Sequence, residues 1–135
     1  MVAASACLLG YNCRYDGKSK KSSVVFKRLS AERILPICPE QLGGLTTPRD
    51  PSELVGGDGF DVLDGNARVI NIHGLDNTKA FIDGAYAALN QIKTHNIKFC
   101  FLKDKSPSCG VGTGVMTGVA AALLIRQGIK IEEIR

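Results

Sequence analysis

The sequence predicts an α/β fold, a Rossmann-like layered α/β sandwich with a mostly parallel sheet, on three observations. Strand-length apolar runs alternate with helical periodicities. The first run, Val2–Leu9, is continuously apolar but for Ser5 and suits a strand buried on both faces. The 135 residues contain no repeat and no linker-like stretch, so one domain spanning 1–135 is expected.

The elements follow in order. Val2–Leu9 is the first strand, ended by Gly10. Residues 22–32 are weakly helical through Val25, Phe26 and Leu29, with Ser22 or Ser23 as cap. Residues 34–38 read as a second strand, which Pro36 assigns to an edge or a strand end. Pro39–Asn66 is rich in Gly, Pro and Asp and reads as a long loop, a kind of segment that carries function or disorder. Residues 69–72 form a short strand, and Asp76 or Asn77 caps the clearest helix, 77–95, with Phe81, Ile82, Ala85, Ala88, Leu89 and Ile92 at helical spacing. Residues 97–102 are a further strand, 115–127 an apolar small-residue helix closed by Gly128, and 129–134 a last strand.

Composition excludes several classes. Apolar residues make up 44% and charged residues 22%, a globular balance that argues against wholesale disorder. No apolar run approaches the roughly 20 residues of a membrane span. The N-terminus lacks a basic region and a cleavage site, so it reads as the buried strand of a cytoplasmic protein. The net charge of +4 is uneven: residues 1–35 carry +5, residues 36–76 carry −5 and residues 77–135 carry +4. The basic N-terminal stretch suits either a phosphate or nucleic-acid partner or a plain solvated face.

Five cysteines, at 7, 13, 38, 100 and 109, are the unusual feature. An odd count without a Cys-x-x-Cys pair fits neither a disulfide framework nor a zinc ribbon. Cys7, Cys38 and Cys109 each fall at or beyond the carboxyl end of a predicted strand, where parallel α/β sheets form their sites. The fold is therefore expected to gather these three, while Cys100 lies mid-strand as a core residue. The helix after Cys109 is expected to help hold it as a thiolate. Three thiolates suit zinc or an iron–sulfur cluster with one open position, and Cys13 is a candidate fourth ligand. The only histidines, His73 and His95, are remote from the cysteines in sequence, and His95 at a helix end reads as a dipole partner.

Other chemical motifs fail. Cys7 and Arg14 are one residue too far apart for a Cys-x5-Arg phosphate loop, Gly17-Lys18-Ser19 lacks the first Walker glycine, and Gly110–Gly114 lacks the third dinucleotide glycine. There is no nucleophile elbow and no nucleobase-deaminase signature.

Three stretches carry weight: Ser5–Gly10 with Arg14–Gly17, Cys38–Leu45 leading to Pro48-Arg49, and Lys103–Gly110. Together, and over nearly the whole chain, they resemble the thiouracil desulfidase family of bacteria. The resemblance implies a 4Fe–4S enzyme that removes sulfur from 2-thiouracil or a related thiolated pyrimidine without net redox chemistry, giving uracil and hydrosulfide. It implies Cys7, Cys38 and Cys109 as cluster ligands with one open iron, Glu40 as the catalytic carboxylate and Ser106 as the catalytic serine. Ser108 and Arg49 are added as substrate-binding candidates, although Arg49 equally suits a salt bridge with Asp50 or Glu53. Thiolated tRNA is a conceivable larger substrate. Relatives carry a longer glycine-rich insert after Cys109-Gly110; here Val111–Val115 leads almost directly to the apolar helix. Two alternatives stand beside this reading: a non-catalytic cluster- or zinc-binding protein with a basic RNA-binding face, and a hydrolase with zinc in the three-thiolate site.

Overall fold

The computed structural model describes residues 1–28, 33–111 and 116–135. In chain order the elements are β1 (Val2–Ser5), a 3-10 turn (Ala6–Leu9), α1 (Ser23–Arg28), β2 (Ile34–Ile37), α2 (Pro39–Leu42) and β3 (Ser52–Val55). There follow α3 (Gly59–Leu63), β4 (Arg68–Asn71), α4 (Thr78–Thr94), β5 (Phe99–Lys103), α5 (Val119–Arg126) and β6 (Lys130–Ile134). The expected tail of the first helix, residues 29–32, and the 112–115 part of the segment after Gly110 lie outside the described residues.

Four strands form a wholly parallel sheet in the order β2-β1-β5-β6. The chain steps from β1 outward to β2, then returns to β5 and steps the other way to β6. The winding therefore reverses between β1 and β5, and the crevice beyond their carboxyl ends is where such sheets bind ligands. Pro36 sits on the edge strand β2, opposite Ala4, as its missing N–H requires.

Alternate strand residues feed the two faces. Ala3, Cys100 and Leu102 pack with Phe81, Ala85, Ala88, Leu89 and Ile92 of α4 and with the small residues of α5. Ala4 and Phe101 face the other way, onto Val25 and Leu8. Ser22 caps α1, its hydroxyl accepting the Val25 N–H at 3.4 Å. No helix among the described residues is long and apolar enough to cross a membrane.

The structure revises four sequence expectations. The first strand ends at Ser5, not Leu9. The Tyr11 N–H turns back to the Ala6 carbonyl at 3.2 Å, and the Ser5 hydroxyl takes the Lys103 N–H at 3.0 Å, closing the β1–β5 ladder. The long loop 39–66 contains α2, β3 and α3, the last held by a reciprocal capping box between Asp58 and Asp61. The 69–72 strand becomes β4, which pairs antiparallel with β3 in a separate two-stranded sheet. The last helix starts at Val119 behind Gly118 rather than at 115, and it ends as expected at Gly128, whose φ is +77°.

One contact between helices fixes the site from behind. α2 lies on α4 through Gly43 and Gly84, and a Cβ on Gly84 would meet the Pro39 carbonyl oxygen at 1.8 Å. Glycine inside α4 weakens that helix, but it lets the Cys38–Glu40 backbone seat directly on it. Gly84→Ala is expected to cost at least about 2 kcal/mol, a fall of roughly 5–10 °C in thermal midpoint by calorimetry. An unchanged midpoint would show that the two backbones separate freely.

Candidate metal centre

Cys7 lies in the 3-10 turn after β1, Cys38 directly after β2 at the start of α2, and Cys109 in the loop after β5. All three, with Cys13, line one crevice of about 730 Å³ at the carboxyl ends of the sheet. That volume suits a small-molecule ligand. Cys100 is wholly buried on β5, where burial alone pushes its thiol up to about 12.

Local hydrogen bonding sets each cysteine in place. The Cys7 carbonyl accepts the Lys20 N–H at 2.9 Å, folding the Cys13–Lys20 loop over the crevice. The loop carrying Cys109 is a serine turn: the Ser106 hydroxyl oxygen accepts the N–H groups of Ser108 at 3.1 Å and Cys109 at 3.0 Å. The start of α5 grips this loop from behind, Val119 donating to the Pro107 carbonyl at 2.9 Å and Ala121 to that of Ser108 at 3.0 Å. The expectation that this helix end holds Cys109 as a thiolate is therefore corrected. Its donors bind loop carbonyls, and burial pushes the Cys109 thiol up to about 12.

The thiols form a connected set. Cys38 donates to the Cys13 carbonyl at 3.8 Å. A hydrogen bond from Cys13 holds the Cys7 thiol below its usual range, against burial and the charges of Cys109 and Cys38. The hydrogen bond from Cys38 lowers Cys13, but its bond to Cys7 and burial outweigh this and place it at about 11. Cys38 is pushed well up, first by its bond with Cys13 and then by burial. Thiolates at 7, 38 and 109 thus repel one another, and a cationic centre relieves that repulsion. Three soft sulfur donors around an open crevice fit an iron–sulfur cluster in their chemistry.

They fit a single ion less well. Among the described residues no three His, Cys, Asp or Glu side chains are gathered so as to hold one metal ion, whereas zinc needs its ligands all within about 2.3 Å of one point. His73 is 3.6 Å from Asp50, and His95 Nδ1 lies 2.8 Å from the Gln91 carbonyl at the end of α4. Neither is available to the thiols.

Glu40, on the first turn of α2, lines the same crevice. Its partner is Arg49, whose Nε donates to Oε1 at 3.0 Å, and not the Asp50 or Glu53 pairing expected for that arginine. Ser106 lines the crevice too. With both N–H bonds already accepted, its hydroxyl is left to act as a donor. Ser108 does not line the crevice: it is buried, and its hydroxyl acts on the Cys109 thiol, pulling it down against the effect of burial, and not on a substrate. The basic N-terminal stretch is divided, with Arg14 and Lys20 at the crevice and Arg28 paired with Glu132 elsewhere. The Glu40–Arg49 pair, nine residues apart on a turn, had no sequence signal.

Known proteins agree with this architecture. A family model described as 2-thiouracil desulfurase matches residues 2–134. The chain is 38% identical over 143 residues to the uncharacterized protein YbbK of Bacillus subtilis (strain 168), covering 97% of this chain and 93% of that one. A solved structure of TudS, described as a 4Fe–4S-dependent thiouracil desulfidase, shares the fold with a TM-score of 0.82 and 41% identity, over 98% of this chain and 89% of that chain. The fold is thus shared with a solved relative over nearly the whole chain, and the chain belongs to the 2-thiouracil desulfurase family.

Proposed function

We propose that this enzyme hydrolyses the C–S bond of 2-thiouracil or a closely related thiolated pyrimidine, and that Cys7, Cys38 and Cys109 hold its 4Fe–4S cluster. The observation that carries the reading is the convergence of these three thiols with Glu40 and Ser106 on one crevice. Bound by three thiolates, such a cluster supplies one thiophilic iron that polarises a thiocarbonyl as a Lewis acid.

The chain's own residues do the rest. Arg49 engages Oε1 of Glu40, and Oε2 has no hydrogen-bond partner among the described residues. That oxygen is the one to take a proton from a water attacking C2. The Ser106 hydroxyl, confined to donation, orients the pyrimidine or stabilises charge developing on it. The balance is thiouracil plus water giving uracil plus hydrosulfide and a proton, with no change in oxidation state. The solved relative's described activity supports the substrate class.

The test is anaerobic reconstitution followed by assay. The loaded protein is expected to show the broad visible absorption of an iron–sulfur centre, and to release hydrosulfide and uracil from 2-thiouracil in equal amounts. A fully loaded protein that leaves thiouracil untouched sinks the reading. Ser106→Ala is expected to lower kcat about 10–100-fold with iron retained. Cys13→Ala is expected to keep most of its iron, because Cys13 bonds to the other thiols without being needed as a ligand; loss of iron in this variant makes Cys13 a fourth ligand.

A further inference from the structure

The side chain of Arg49 is buried, 8% exposed, and makes more hydrogen bonds than any other described side chain at the crevice. Nε donates to Glu40 Oε1 at 3.0 Å, and Nη2 to the Cys13 carbonyl at 3.0 Å. Nη1 donates to the Thr46 carbonyl at 3.2 Å and to the Thr47 hydroxyl at 2.9 Å. Four of the five guanidinium N–H bonds are thus taken by protein acceptors. The backbone N–H of Arg49 adds a fifth contact, to the Tyr15 carbonyl at 2.8 Å. One cation therefore ties together three segments: the Cys13–Tyr15 loop, the Thr46–Arg49 turn and the first turn of α2.

We propose that Arg49 is the positioning residue for Glu40, fixing which carboxylate oxygen faces the reacting water and coupling that choice to the order of the Cys13–Tyr15 loop. The proposal rests on the reading of Glu40 as the proton acceptor. It replaces direct substrate binding by Arg49, since only one N–H remains for any ligand. Glu, with three side-chain torsions, samples several rotamers when unbraced, and displacement of a catalytic group by about 1 Å costs up to about 10²-fold in rate. Lysine replaces it only in part: it offers a point charge where the site uses a planar fork to reach four acceptors in fixed directions.

The experiment compares Arg49→Lys, Arg49→Met, Glu40→Gln and the Arg49→Lys/Glu40→Gln double variant, with iron content measured on every sample. Arg49→Met is expected to lose about 10–100-fold in kcat with KM within about twofold, and Arg49→Lys to lie between it and wild type. The double variant is expected to be no slower than Glu40→Gln alone, because a residue acting through Glu40 has nothing left to position. Hydrogen exchange on the metal-free protein gives a reading independent of activity: both Arg49 variants are expected to exchange faster around residues 13–15 and 40–42, with the core of α4 unchanged. A rise in KM at constant kcat, additive losses in the double variant, unchanged exchange, or loss of iron from both Arg49 variants each overturns the proposal. Wild-type protein inactive on thiouracil overturns the functional reading instead, and leaves the exchange result to decide the role of Arg49.

Discussion

Cys38→Ala is expected to lose its iron and with it all measurable desulfuration, while Cys100→Ala keeps both. The two cysteines differ in place, not in kind. Cys38 follows the edge strand β2, opens on the crevice and interacts with Cys7 and Cys109 through charge, whereas Cys100 is sealed in the core. Removing one of the three proposed ligands from a site with no imidazole nearby would leave too few donors to hold a cluster, so iron per chain should fall at least about tenfold after anaerobic reconstitution. Cys100→Ala removes only one buried sulfur, costing stability on the order of 1 kcal/mol and no metal. Cys13, within hydrogen-bond reach of Cys38, supplies the one route of escape. If Cys38→Ala retains iron, the Cys13→Ala/Cys38→Ala double variant separates replacement by Cys13 from the absence of any role for Cys38. Retention of full iron in the double variant removes Cys38 from the ligand set.

The parts of this fold legible in the sequence are those whose stability comes from burial. β2, β5, β6 and α4 carry their apolar residues at the spacing their environment demands, and Pro36 and Gly128 mark an edge and a helix end by their backbone chemistry. The end of β1 was invisible because the run from Val2 to Leu9 is apolar on both sides of the break; only the hydrogen bonds of Ser5 and Ala6 separate strand from turn. α2 and α3, four and five residues long, have no amphipathic period to read. The Asp58/Asp61 pair was a legible capping signal for α3 that the surrounding glycines obscured. At the site, the cysteines could be placed because strand ends order them along the sheet edge. The glycine contact under α2 and the Arg49 brace could not, since both depend on which surfaces meet between segments distant along the chain.

Glu40→Gln is expected to lower desulfuration by at least about 10²-fold, equivalent to roughly 2.7 kcal/mol of barrier, without loss of cluster. The substitution keeps the shape of the side chain, and the amide oxygen still accepts the Arg49 Nε–H, so the brace and the seating of α2 on α4 are preserved. What it removes is the capacity to accept a proton at the second oxygen. Because Glu40 is only two residues from Cys38, cluster content has to be read on the same sample, by iron analysis and visible absorption; a lost cluster mimics a lost base. The two causes also part kinetically. A missing base lowers kcat and leaves thiouracil binding near its original strength, whereas a missing cluster removes the thiophilic anchor and weakens binding as well. Wild-type turnover by a fully loaded Glu40→Gln protein would assign Glu40 to the support of Arg49 and the Cys13 loop alone, and would move the search for the proton acceptor to the other carboxylates of the crevice, Glu53 and Asp104.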